Sequence, residues 1–119
     1  MLKFARAVGW AVSGIRYAVI TQRNMKIHLV VAIPVIVTCL YLKMSPAELA
    51  IISLTIFLVL AAEMFNTAIE VVVDLFTADR HPLARAAKDV GAGAVLLTAI
   101  NALIVAYLLI WPRIAGLFG

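Results

Sequence analysis

Residues 62–74 read AEMFNTAIEVVVD and close a long apolar run that begins near Leu49. On an α-helix of 3.6 residues per turn, the three acidic side chains and the one amide side chain of this stretch fall within about 80° around the axis. We call these four residues the acidic stripe: Glu63, Asn66, Glu70 and Asp74. Because an ionisable side chain inside a membrane span costs about 2.5–3.5 kcal/mol, we interpret the acidic stripe as a functional site.

The composition predicts an integral membrane protein with a single domain. Of 119 residues, 66% are hydrophobic and only 13% are charged, which exceeds the apolar content of a soluble fold of this size. A net charge of +4 is also compatible with binding to nucleic acid. The basic residues lie beside apolar spans, however, so we expect contacts with anionic lipid headgroups and no nucleic-acid partner. No cleavable signal peptide is expected.

The predicted fold is all-α and consists of one surface helix followed by three membrane helices. Residues 1–22 alternate apolar and basic faces at helical spacing, as in an amphipathic helix that lies on the membrane surface. A polar hinge over 21–28 follows. Membrane helices are predicted over 27–42, 47–76 and 83–110. Ser45 and Glu48 have the spacing of a capping box at the start of the second membrane helix. A chain this short encloses no large cavity alone, so a sizeable substrate would require a homo-oligomer.

Lysine and arginine counts predict the orientation of the helices. Five basic residues precede the first span, one lies in the first loop, and three lie at the second loop. The N-terminus and the second loop are therefore expected on the cytoplasmic side. This orientation places the acidic stripe and the pair Lys88-Asp89 at the same cytoplasmic interface.

Acidic side chains, an amide and a lysine beside the cytosol have the chemistry of phosphoryl transfer. Carboxylates bind Mg²⁺, which also takes phosphate oxygens as ligands, and lysine balances phosphate charge. A carboxylate at the interface can accept a proton from a lipid hydroxyl. The P-loop and soluble kinase motifs are absent, and Gly91-Ala92-Gly93 favours close helix packing over a phosphate-binding loop. The residues alone thus predict a site for a metal and an anion. They point less specifically to a kinase.

The run EMFNTAIEVVVD (63–74), followed by HPLARAAKDVGAGAVL (81–96), resembles the prokaryotic diacylglycerol kinase family, which includes undecaprenol kinases. The similarity extends from the Gly14-Ile15-Arg16 region to the last span. It implies a small membrane homotrimer with active sites shared between neighbouring subunits. It also implies transfer of the ATP γ-phosphate to a membrane lipid alcohol with Mg²⁺. The hinge and the His81-Pro82 run are more similar to the undecaprenol kinase branch.

The resemblance also implies roles for individual residues. Glu63 would be the catalytic base on the lipid hydroxyl, and Asn66 would support the substrate site. Glu70 would hold Mg²⁺ on the nucleotide phosphates. The remaining nucleotide contacts would come from Trp10, Asp79, Arg80, His81, Lys88 and Asp89. Asp74 would orient this cluster or serve only as a structural acid at the helix end. His81 is more typical of a turn or a helix cap than of a catalyst, and is expected only to neighbour the nucleotide.

One position departs from the family pattern, and one alternative function stays open. The family usually has glutamate as a second metal ligand where this chain has Gln22. An amide oxygen still coordinates Mg²⁺ but adds no negative charge, so we expect activity with weaker or fewer bound metals. The alternative function is a small proton- or cation-coupled transporter that uses Glu63, Glu70 and Asp74. It would require the acidic stripe to continue across the membrane.

Overall fold

The computed structural model describes residues 1–119 and contains only helices and short connections. The helices are α1 (Leu2–Thr21), α2 (Arg23–Tyr41), α3 (Pro46–Phe76), α4 (Pro82–Val105) and α5 (Trp111–Phe118), with a π-helical segment at Ala106–Ile110 between the last two. Three stretches are long and apolar enough to cross a membrane: Arg23–Tyr41, Pro46–Phe76 and Pro82–Phe118. The prediction of three membrane helices and one additional N-terminal helix is therefore confirmed.

The polar hinge predicted over 21–28 is wrong, because only Gln22 separates α1 from α2. Gln22 has an extended backbone, with φ −103° and ψ 117°. Its N–H donates to the Ala18 carbonyl at 2.9 Å, and its carbonyl accepts from the Lys26 N–H at 3.3 Å. One residue thus closes the first helix and opens the second, since each flanking helix satisfies one of its backbone groups.

The predicted capping box at the start of α3 is present. The Ser45 Oγ accepts from the Glu48 N–H, and the Ser45 N–H donates to Glu48 Oε1, both at 3.2 Å. Glu48 also pairs with Arg113 of α5, which donates from Nε to Oε2 at 3.2 Å and from Nη2 to Oε1. This bidentate pair joins the first turn of α3 to the C-terminal helix and was not predicted from the sequence.

The third membrane helix, predicted over 83–110, continues beyond Ile110. Pro112 lacks an N–H and would clash with the carbonyl one turn earlier in a regular α-helix. The chain instead widens into the π-helical segment, in which the Trp111 N–H donates to the Ala106 carbonyl. A π-bulge of this kind lets a helix pass a proline without ending. The helical chain then continues to Phe118.

The three membrane helices pack mainly through α3, which lies against both α2 and α4. A buried apolar cluster closes the end remote from the acidic stripe and contains Cys39, Met44, Ile52 and Ile110. Many large apolar side chains point outward, among them Phe57, Phe65 and Leu97. Exposed apolar side chains around a helical bundle are expected where lipid tails, or further membrane helices, form the surroundings.

Candidate functional site

The Glu63 carboxylate is the most deeply buried acidic group in the chain. Glu63 is only 1% exposed, and its Oε2 has no hydrogen-bond partner. The closest basic group is His28 of α2, whose Nε2 lies 3.6 Å from that oxygen. This distance exceeds the range of a hydrogen bond but permits strong Coulombic attraction. A buried carboxylate with one open oxygen is unusual in a folded protein and indicates a functional role.

Asn66 continues the buried surface one turn further along α3. Asn66 is 5% exposed, its Oδ1 lacks a partner, and its Nδ2 donates to Glu70 Oε1 at 3.5 Å. The hydrogen bond links the buried end of the acidic stripe to Glu70, which is partly exposed. The structure therefore aligns two open oxygen acceptors and a second carboxylate on one face of one helix.

Helix α4 crosses this face at a glycine. A Cβ atom placed on Gly91 would lie 2.5 Å from Asn66 Oδ1, whereas one placed on Gly93 would meet no atom within 4 Å. Gly91 therefore allows α4 to approach the Asn66 side chain, and every larger residue would displace one of the two. The expectation that this glycine-rich stretch serves close helix packing agrees with that geometry.

The other end of the acidic stripe contacts α4 directly. The Lys88 Nζ donates to Asp74 Oδ1 at 2.6 Å, and the two side chains are 37% and 65% exposed. Asp89 turns away and pairs with Arg85 of its own helix at 3.0 Å. Of the two adjacent residues Lys88 and Asp89, only Lys88 reaches the acidic stripe.

A polar cavity of about 600 Å³ opens where α3 passes into α4. Its lining includes four of the residues predicted around the nucleotide, together with Asp74 and Arg85: Asp79, Arg80, His81 and Lys88. His81 caps α4, since its Nδ1 accepts from the Leu83 N–H at 3.1 Å. The Asp79 N–H donates to Thr77 Oγ1 at 3.1 Å and so shapes the turn. Basic and acidic groups around an open, polar cavity suit a phosphorylated ligand with its cation.

Six of the predicted site residues do not line this polar cavity: Trp10, Gln22, Glu63, Asn66, Glu70 and Asp89. Trp10 lies on α1 and is 72% exposed, and the Gln22 amide donates to Thr21 Oγ1 at 3.1 Å. No group of three or more histidine, cysteine, aspartate or glutamate side chains converges anywhere in the chain. Mg²⁺ bound through one or two carboxylates and substrate phosphates needs no such group, and the partly exposed carboxylate of Glu70 fits that type of site.

No polar path continues from Glu63 across the membrane. Next to His28 lies an apolar cavity of about 320 Å³ between α2, α3 and α4, in which 13 of the 15 lining residues are hydrophobic. The only polar group of α3 that lines it is Thr55, whose hydroxyl donates to the Ile51 carbonyl at 2.7 Å. This arrangement gives no support to the transporter alternative, which requires polar groups on both sides of the buried carboxylate.

The contact between His28 and Glu63 was missed by the sequence reasoning. From the sequence, a hydrogen-bonding role for His28 at the membrane interface is favoured over a role as a metal ligand. The sequence feature that could have indicated this contact is a lone histidine at the start of an apolar span, on the same side of the membrane as the acidic stripe. Its partner depends on the rotation of α2 against α3, which the periodicity of one helix does not contain.

Comparison with known proteins identifies close relatives. A family described as prokaryotic diacylglycerol kinase matches residues 9–110. A diacylglycerol kinase of Synechocystis is 43% identical over 91% of this chain, which spans 62% of that relative. An undecaprenol kinase of Bacillus subtilis is 38% identical over 94% of this chain and 91% of its own length. A diacylglycerol kinase of Escherichia coli K12 is 30% identical, with 93% and 91% covered.

Proposed function

This chain belongs to the prokaryotic diacylglycerol kinase family, a family of lipid kinases, and from that premise we propose that it transfers the ATP γ-phosphate to the hydroxyl of a membrane lipid, diacylglycerol or undecaprenol. The single observation that supports this most is the buried, open carboxylate of Glu63 on the same helix face as Asn66 and Glu70. A general base must be deprotonated and within hydrogen-bond reach of the proton that it takes from the substrate.

In the proposed reaction, the lipid hydroxyl gives its proton to a Glu63 carboxylate oxygen as the hydroxyl oxygen attacks the γ-phosphorus. The bond between that phosphorus and the β,γ-bridging oxygen breaks, and ADP leaves with the bonding electrons. The products are a lipid phosphate, ADP and a proton on Glu63. Asn66 supports the acceptor beside Glu63, because its Oδ1 is buried and open.

The nucleotide end of the site is proposed at the polar cavity. Lys88 would balance phosphate charge, and Asp74 holds its ammonium group at the stripe. The turn residues Asp79, Arg80 and His81 and the neighbouring Asp89 would contact the nucleotide, with Trp10 approaching from α1. Phosphoryl transfer depends mainly on such positioning and charge balance.

Mg²⁺ is proposed as the metal of the ATP phosphates, with Glu70 as its carboxylate ligand and Gln22 as a neutral one. When bound, the cation would neutralise charge on the phosphate oxygens. Glu70 is partly exposed and already oriented by Asn66, which suits a ligand that meets a metal arriving with its nucleotide.

The proposed assembly is a homotrimer in the bacterial inner membrane, with the N-terminus and site on the cytoplasmic side and α1 on the membrane surface. Basic residues precede the first span and flank the second loop, which supports that orientation. The outward apolar side chains of the bundle leave surface for neighbouring subunits as well as lipid.

The test is phosphate transfer by purified protein in lipid vesicles with labelled ATP and Mg²⁺, with diacylglycerol and undecaprenol supplied in parallel. We expect a labelled lipid phosphate that falls by a factor of about 10²–10⁴ in Glu63→Gln, because the general base is lost. Glu48→Gln makes the same change at the other end of α3, keeps a capping-box residue, and should leave transfer near the wild-type level. Absence of transfer to either lipid would refute the proposed function.

A further inference from the structure

The proposed reaction assigns no role to His28, which faces the buried Glu63 carboxylate. The Glu63 side chain is 2% exposed and that of His28 is 23% exposed, and 3.6 Å separates Oε2 from Nε2. An ionised carboxylate away from water is stable only when a cation or hydrogen-bond donors compensate its charge. The carboxylate oxygen nearest His28 has no other partner.

Within one subunit, no other cation is in a position to compensate Glu63. On α3, the next titratable side chain toward the cytoplasm is Glu70, which would repel it. On α4, no titratable side chain occurs between Asp89 and Tyr107. The nearest titratable groups on α1 and α2 all belong to exposed residues: Arg16, Tyr17, Arg23 and Lys26. The elements around Glu63 thus supply a single candidate partner, His28.

We infer that His28 is a positioning residue that keeps Glu63 ionised and oriented as the base for the lipid hydroxyl. As an imidazolium it forms an ion pair with the carboxylate, and as a neutral ring with hydrogen on Nε2 it donates to the same oxygen. The 3.6 Å separation shortens to hydrogen-bond distance with a small side-chain movement, as often occurs when substrate completes a site. This inference rests on the proposed function for the role of Glu63, but the pairing itself does not.

His28 also lines the apolar cavity between the three membrane helices. His28 therefore lies between this apolar cavity and the Glu63 carboxylate. A lipid whose tail enters that space would present its hydroxyl beside His28 and Glu63. The position of His28 thus suits a residue that orients the base toward an acceptor arriving from the membrane.

Two substitutions separate the charge of His28 from its volume. His28→Gln keeps a hydrogen-bond donor but carries no charge. His28→Leu fills the space against the apolar cavity and has neither a hydrogen-bond donor nor a charge. Both substitutions remove the imidazole that faces the Glu63 carboxylate. We expect the acidic limb of the kcat–pH profile to move upward by about one pH unit in both variants, which is about a tenfold loss on that limb. The Leu variant should lose more of its kcat than the Gln variant at the pH optimum. The KM for ATP should change little in both.

Lys26→Gln is the matched control, because it removes an exposed cation from the same helix. Its profile should coincide with that of the wild type. If packing were the only role of His28, the Leu variant would keep the wild-type profile, and that result would overturn the inference.

A second measurement reports the pairing without relying on activity. Isotope-edited infrared spectroscopy of full-length protein in vesicles, with ¹³C-labelled glutamate and Glu63→Gln as the subtraction, follows the protonated fraction of Glu63 against pH. The midpoint should rise in both His28 variants and stay constant in Lys26→Gln. An unchanged midpoint alongside normal lipid phosphorylation would refute the inference alone. A raised midpoint in a protein that phosphorylates neither lipid would refute the proposed function and leave the pairing intact.

Discussion

At the scale of single residues, this site is defined by polar atoms without partners. Glu63 Oε2 and Asn66 Oδ1 are the two buried side-chain atoms that lack a hydrogen bond, and they lie one turn apart on α3. Leaving a buried acceptor open costs about 1–3 kcal/mol, and a membrane helix offers no water to lower that cost. Their coincidence on one helix face is the strongest local evidence for a binding site.

Gln22 provides the residue-scale prediction. Gln22→Glu would restore a negative ligand at the proposed Mg²⁺ site, since carboxylates bind this cation more strongly than amides. We expect the Mg²⁺ concentration for half-maximal transfer to fall several-fold, measured by titrating Mg²⁺ at fixed ATP. Asn24→Asp adds the same charge two residues away on an exposed position and should leave that concentration unchanged. An equal or greater Mg²⁺ requirement in Gln22→Glu would argue against Gln22 as a ligand.

At the scale of helices, the site depends on how closely α4 approaches α3. Gly91 and Gly93 are two residues apart in the same helix, yet only Gly91 faces a side chain of the acidic stripe. The sequence identified both glycines as candidates for helix packing. Only the relative rotation of the two helices distinguishes them.

The matched pair Gly91→Ala and Gly93→Ala tests this contact. Both changes raise helix propensity by roughly 1 kcal/mol, but the Cβ of the first would lie 2.5 Å from Asn66 Oδ1. We therefore expect Gly91→Ala to lower thermal stability and lipid phosphorylation, and Gly93→Ala to raise stability with activity unchanged. Melting in detergent and transfer assays measure both effects. Equal behaviour of the two variants would contradict the packing described here.

The opposite end of the bundle supports a second prediction about helices. Arg113→Ala leaves Glu48 with its cap but without its guanidinium partner, and the paired side chains are 38% and 22% exposed. We expect a small loss of stability, because solvent screens a partly exposed pair. The melting temperature should fall while kcat stays near the wild-type value, because the pair lies far along α3 from Glu63. A large fall in kcat at unchanged stability would place Arg113 in the site instead.

At the scale of the whole molecule, the proposed site has two separated ends. Glu63 and Asp74 are eleven positions apart, which is roughly 16 Å along a helix. Lys88, held at Asp74, is therefore not beside a lipid hydroxyl at Glu63 of its own chain. A site assembled from neighbouring subunits would bring the two ends together.

Mixing inactive subunits tests the shared site. Glu63→Gln and Lys88→Met should each abolish most lipid phosphorylation alone. If base and lysine come from neighbouring chains, co-assembly of the two variants regenerates some intact sites, so activity should return well above either parent. The measurement is transfer after co-expression with two affinity tags and tandem purification. Co-assembled protein as inactive as its parents would show that each chain builds its own site.

The sequence by itself determined the membrane character, the three spanning helices, the cap at Ser45 and the acidic stripe, because each follows from composition or from the period of one helix. Tertiary structure alone decided the partners: His28 beside Glu63, Lys88 on Asp74, Asn66 against Gly91 and Arg113 on Glu48. These contacts depend on the rotation and axial offset of one helix against another. Many side chains distributed along both helices set those two quantities together, so no local motif encodes them.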